Sequence, residues 1–351
     1  MAILPNLVSI CVDHPAATDD HKQVDALLDW LELLLSPLQR LKTVKIGGKR
    51  PMSGETHTRY LEFIEQVIND YQDLDSLSIS YEDQPVAPML SSVVSLYYST
   101  VIDISSLELA GVELCSELYF WLARLGKLQR LRLCMLGPRG PLDIHQARLD
   151  DSVFSQLCSL ELECQRAGRI VAVCQTPIIK HLASLSVKFD ERWDNTTDIT
   201  FFELLAAHCR SLTELCLDTT ENSEPELLIR NIPLIQNLPL RKLFLPHCTW
   251  SDCQELKGVH YLALLWPSLE MLDLPACNVP FGELGSILPF TPHLFCLRLD
   301  IKGSSLRASS FEQSVPYWVL RGTKYSPFQL VSSTETELKS SNDSTAHSVT
   351  K

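Results

Sequence analysis

The side chains best equipped for chemistry here are histidines and cysteines, so their spacing is weighed first. His208, His247 and His260 have no Ser or Cys nucleophile beside them in a recognisable elbow. The chain has 12 cysteines, but none form a Cys-x-x-Cys pair, and there is no His-Glu-x-x-His. Cys158 and Cys164, like Cys248 and Cys253, read as structural thiols of the fold. The acidic pairs Asp19-Asp20 and Asp150-Asp151 read as solvated or helix-start charges. Glycine is scarce at 13, and no Gly-x-x-x-x-Gly-Lys-Ser/Thr loop is present to cradle a phosphate. We expect no enzyme, with no catalytic residue, no cofactor and no metal. Any function must lie in a surface, and the elements that build it come next.

The elements repeat. Leu is the commonest residue, at 60 of 351. The pattern Leu-x-x-Leu-x-Leu, with Ile or Val allowed, occurs at Leu7-Ile10-Val12, Leu41-Val44-Ile46, Leu74-Leu77-Ile79, Ile104-Leu107-Leu109 and Leu128-Leu131-Leu133. It continues at Leu157-Leu160-Leu162, Leu182-Leu185-Val187, Leu212-Leu215-Leu217, Leu240-Leu243-Leu245, Leu269-Leu272-Leu274 and Leu294-Leu297-Leu299. In so aliphatic a chain a bare match is weak. The even spacing, about 29 residues on average, carries the argument. So does an apolar residue three places upstream in most units, as at Leu125, Phe154, Ile179, Cys209 and Trp266.

Between these strand candidates lie segments with helical periodicity: 25–35, 56–71, 115–125, 167–174, 198–209, 251–265 and 281–288. Asp198 and Ser251 are read as N-caps. Pro177, Pro239, Pro267 and Pro292 fall after helix ends. Strand, turn, helix and turn, repeated, predict an α/β solenoid. A strand is thinner than a helix, about 4.8 Å against about 10 Å. Stacking them in register therefore predicts a curved horseshoe, with a parallel β-sheet on the concave face and helices on the convex face. We expect about eleven irregular units over residues 1–310, a C-terminal cap over 311–331 and a disordered tail over 332–351.

The runs His208-Cys209-Arg210-Ser211-Leu212-Thr213-Glu214-Leu215-Cys216-Leu217 and Trp266-Pro267-Ser268-Leu269-Glu270-Met271-Leu272-Asp273-Leu274-Pro275-Ala276-Cys277 resemble ribonuclease-inhibitor-type leucine-rich repeats. The cysteine-containing subtype reads Cys-Pro-x-Leu-x-x-Leu-x-Leu-x-x-Cys, and Leu243-Phe244-Leu245-Pro246-His247-Cys248 has the same ending. Long, irregular repeats of this kind resemble those of F-box/leucine-rich-repeat proteins, fungal ones especially. The resemblance covers roughly residues 4–310. It implies the substrate-recognition part of an F-box-like ubiquitin-ligase receptor. A free-standing scaffold or regulator, for example one acting like a GTPase activator, is the alternative. Leu4-Pro5 leads straight into the first strand, so no F-box is expected ahead of it. The implied partners are a protein on the concave face and, if an F-box is missing from this chain, the ubiquitin-ligase adaptor.

Charge narrows the partner. Lys and Arg total 30 against 43 Asp and Glu, a net −13, which lacks the basic stripe that tracks nucleic acid. No membrane span is expected, because Asp29 and Glu32 interrupt the apolar run 26–35. Met1–Val12 has no basic flank or cleavage site, so we expect a cytoplasmic or nuclear protein. On the inner face, opposite charges fall on neighbouring repeats: Glu108–Arg132–Glu161, Glu163–Lys188–Asp218, Asp273–Arg298 and Glu214–Lys242. These read either as cross-strand compensation or as a mixed-charge recognition surface. Towards the C-terminus the face becomes apolar. Cys216, Phe244, Pro246, Met271, Asp273, Pro275, Cys296 and Arg298 are the candidate protein-binding residues. A register slip of one residue would turn them into core.

Overall fold

The computed structural model describes residues 8–14, 41–48, 74–81, 103–112, 114–135, 150, 152–189, 195–219, 229–246, 264–278 and 290–300, with helical positions at 26, 28–31, 63 and 66. Two compact units divide it, residues 1–212 and 213–351. The first holds β1 (Ser9–His14), β2 (Thr43–Gly48), β3 (Ser76–Tyr81), β4 (Ser106–Val112), β5 (Arg130–Met135), β6 (Ser159–Cys164) and β7 (Ser184–Phe189). The second holds β8 (Glu214–Thr219), β9 (Lys242–Phe244), β10 (Met271–Asn278) and β11 (Cys296–Asp300). Within each unit the strands pair in chain order and all are parallel. The class is α/β with an all-parallel sheet. Every Leu-x-x-Leu-x-Leu motif supplies one strand.

The register follows the leucines. Ile10, Val44, Leu77, Leu107, Leu131, Leu160 and Leu185 align in one row of the first unit. Leu215, Leu243, Leu272 and Leu297 do so in the second. Alternate residues point to opposite faces, so β6 and β7 alternate between buried and half-buried side chains along their whole length. Leu160 and Leu185 are 1% and 0% exposed. Each buried Leu contributes about 1.5–3 kcal/mol, and a one-residue slip would lose a whole strand's share.

Main-chain bonds lock that register at the starts of β2 to β7 and β9 to β11. One carbonyl accepts two consecutive amides from the next repeat, at 2.7–3.2 Å. The acceptors are Val8, Lys42, Asp75, Ser105, Gln129 and Cys158 in the first unit, and Thr213, Arg241 and Glu270 in the second. The apolar residue three places upstream also finds its reason. The carbonyls of Leu125, Phe154, Ile179, Cys209 and Trp266 accept from the amides of Leu128, Leu157, Leu182, Leu212 and Leu269, closing a tight turn over a buried side chain. Phe154 closes its turn at φ 58°, a conformation costly for a bulky residue. Its ring is buried, with its centroid 5.6 Å from that of Tyr119.

Three helices have defined bounds: α1 (Ser116–Arg124), α2 (Ala167–Cys174) and α3 (Asn195–His208). The bounds of α2 are those the periodicity predicts. Asp198 is a correction. The helix already begins at Asn195, so Asp198 lies in its first turn and is fully buried instead of capping it. A carboxylate there still faces the positive end of the helix dipole. Ser251, the segment 281–288, the cap 311–331 and the tail 332–351 lie outside the described residues. Among the described residues, no helix is long and apolar enough to cross a membrane.

Candidate protein-interaction faces

The buried leucines define one face of each sheet. The residues between them form the other, here called the open face. In the first unit that face carries a charge lattice. The Arg132 guanidinium lies 3.2 Å from Glu108, 3.2 Å from Glu161 and 3.8 Å from Glu163. Lys188 lies 3.0 Å from Glu163, and the Ser78 hydroxyl donates to Glu108 at 2.8 Å. The parallel register builds this directly, since Glu108, Arg132 and Glu161 are successive partners across β4, β5 and β6. The side chains remain 30–44% exposed, so solvent screens each pair to about 0.2–1 kcal/mol.

The open face of the second unit is different. Cys216, Phe244, Asp273 and Arg298 form one register row, and Glu214, Lys242, Met271 and Cys296 form the next. Cys216, Phe244, Met271, Asp273 and Cys296 are all half-buried, between leucines that are buried. Phe244 sits between Leu243 and Leu245, both 0% exposed, so it belongs to the open face and not to the core. Pro246 follows β9 and is also half-buried. Pro275 lies in β10 and Arg298 in β11; their side chains lie outside the described residues. Lys242 lies 3.0 Å from Glu214, and Arg241 is paired with Glu270 at the strand start.

No protein-family model matches the chain, and no curated protein matches it. Assignment of the faces therefore rests on their chemistry.

That chemistry is not nucleophilic at the thiols whose state is defined. Burial raises Cys174 and pushes Cys209 up to about 12, so both stay protonated. Cys209 spends its proton on the Ile179 carbonyl at 3.3 Å, and Cys158 does the same with Gln129 at 3.3 Å. Burial also raises Cys134, and the neighbouring Glu163 raises it further. His208 lies exposed at the end of α3, while His247, His260, Cys248 and Cys253 lie outside the described residues. Asp150 accepts from the Ser152 amide at 3.3 Å, which is a turn contact. Among the described residues, no group of three His, Cys, Asp or Glu is placed to hold a metal ion.

Sequence reasoning missed one polar feature. A groove of about 500 Å³ runs along the strand starts of the first unit, lined by Lys42, Asp75, Asp103, Ser105 and Lys127 among others. Lys42 lies 3.9 Å from Asp75, and Lys127 is paired with Asp103. The signal was available in the residue preceding each strand, but the pairing needs the register.

Proposed function

We propose that the chain is a leucine-rich-repeat protein of the ribonuclease-inhibitor-like type, acting as a non-enzymatic protein-interaction module. The repeat type is supported by recurrence of one backbone device, a buried aliphatic strand started by a carbonyl that takes two amides. The binding role rests on one observation: half-buried apolar side chains, Cys216, Phe244, Met271 and Cys296, on an open sheet face. Aromatic and Met side chains in that setting have the composition of an interface centre. The resemblance to F-box/leucine-rich-repeat proteins makes the partner a substrate presented to a ubiquitin ligase. Proximity labelling in the native cell, followed by capture with purified chain, identifies the partner. If the receptor reading holds, the ligase adaptor joins the captured complex once an F-box is supplied upstream of the chain. Capture of a partner with no adaptor component in either form moves the assignment to a free-standing scaffold or regulator. A partner that binds Phe244→Asp as well as the parent chain overturns the apolar face as the docking site.

A further inference from the structure

The open face of the first unit has a second feature beside its charge lattice. The residue immediately before the central aliphatic position is Ser9, Thr43, Ser76, Ser106, Arg130, Ser159 and Ser184 in successive strands, all in register. Arg130 is exposed, and Ser106 and Ser159 beside it are half-exposed. Among the described residues, neither the Arg130 guanidinium nor these flanking hydroxyls has a hydrogen-bond or ion-pair partner. Lys45, on β2 two positions beyond Thr43 of that row, is exposed and equally uncommitted.

The carboxylates differ. Glu108, Glu161 and Glu163 each lie against Arg132 or Lys188, three carboxylates sharing two cations. In a chain of net charge −13, the unpaired charges on the described part of this face are therefore both positive. We propose that this face binds an acidic peptide, with one carboxylate on Arg130 between the Ser106 and Ser159 hydroxyls and a second on Lys45. A planar guanidinium takes a carboxylate through two parallel N–H bonds, and each flanking hydroxyl can donate one more. Lys45 lies three strand spacings across and two residues along from Arg130, about 16 Å away. An extended peptide covers that in four to five residues at about 3.4 Å each. Four apart keeps both acidic side chains on one side of the extended peptide. A carboxylate suits the site better than a dianionic phosphate, because Glu108 and Glu161 lie two positions further along the adjoining strands.

This inference rests on reading the chain as a protein-interaction module, but it uses neither Phe244 nor its neighbours. The probe is a fluorescein-labelled nonapeptide of Gly and Ser with Glu at its third and seventh positions, titrated with the full chain at low salt. Companion peptides carry Gln or phosphoserine at both positions. Saturable binding of the Glu peptide is expected, with Arg130→Gln weakening it about fivefold and Lys45→Gln about twofold. Both side chains are exposed, and unchanged thermal melts confirm the fold. Equal binding of the Gln peptide, insensitivity to Arg130→Gln, or no saturation below about 1 mM overturns the proposal. Phosphoserine binding more than about tenfold tighter overturns the carboxylate assignment. Phe244→Asp should leave this titration unchanged. Failure here with Phe244-dependent partner capture intact sinks the acidic-peptide site alone, and the reverse pattern sinks the apolar docking face alone.

Discussion

In the 1–212 unit, Glu108, Glu161 and Glu163 pair with Arg132 and Lys188 across neighbouring strands. In the 213–351 unit, comparable open-face positions hold Cys216, Phe244, Met271 and Cys296. The backbone beneath is the same in both: buried Leu rows, parallel pairing and shared carbonyls at the strand starts. Fold and surface are thus set by different residues of one strand. Positions facing the core hold apolar side chains, Leu above all, with Met135, Cys164 and Phe189 at the strand ends. Positions between them differ from strand to strand, and the proposed recognition faces use those positions.

The sharpest way to break the comparison is to attack what the units share. Leu185→Ala and Leu243→Ala each remove a fully buried side chain, one in each unit. Each should cost about 2–5 kcal/mol in urea unfolding. A loss below about 1 kcal/mol at Leu243 would mean that the second unit is not built on the leucine core argued here.

Phe244→Asp comes next, and its effect is on binding. If the apolar face is the docking site proposed above, losing a half-buried ring at its centre costs the complex about 2 kcal/mol or more, roughly thirtyfold in affinity. Far-UV circular dichroism should hardly change, because the side chain is not core. Collapse of the far-UV signal would reverse that placement.

Arg132→Met probes the lattice and should have a smaller effect. It leaves Glu108, Glu161 and Glu163 without their shared cation. Stability should fall by about 1 kcal/mol at low salt, since the pairs are part-exposed. At about 1 M salt the screening length shrinks to about 3 Å, and the deficit should narrow. An unchanged deficit at high salt would mean that Arg132 acts by packing and not by charge.

Much of this was legible in the sequence. The strands were, because a core-facing position leaves little chemical choice: the spacing of Leu160 or Leu272 carries its own structural reason. So were the pairs Glu108–Arg132–Glu161, once equivalent positions are assumed to be neighbours. The start of α3 was not. Asn195-Thr196-Thr197 precedes the periodic apolar run, yet it forms the helix upstream of Asp198. The shared carbonyls were invisible because they involve no side chain. The Ser/Thr row was present in the sequence but mute. Its meaning comes from hydroxyls that stay unspent beside Arg130, and only coordinates show which groups are spent.

Alkaline stability separates the thiols of the two regions. Cys209 rises from 9.0 to about 12 through burial, Cys174 is raised by the same cause, and both lie in the first unit. The folded protein keeps protons there that the unfolded chain releases, so the unfolded state binds fewer protons above pH 9.0. This contribution to stability is whole below that pH and is lost as pH rises towards about 12. Tyr119, raised from 10.0 to about 12 by burial, adds to the loss at the upper end of the window. Urea unfolding at pH 8 and at pH 10.5 should show a steeper decline for the parent chain than for Cys209→Ala. Parallel declines would remove Cys209 from the account. The half-buried Cys216 and Cys296 of the second unit should meanwhile react with a thiol reagent at neutral pH, well before Cys174 and Cys209. Reaction of all four at one rate would mean that the first unit opens as readily as the exposed face of the second.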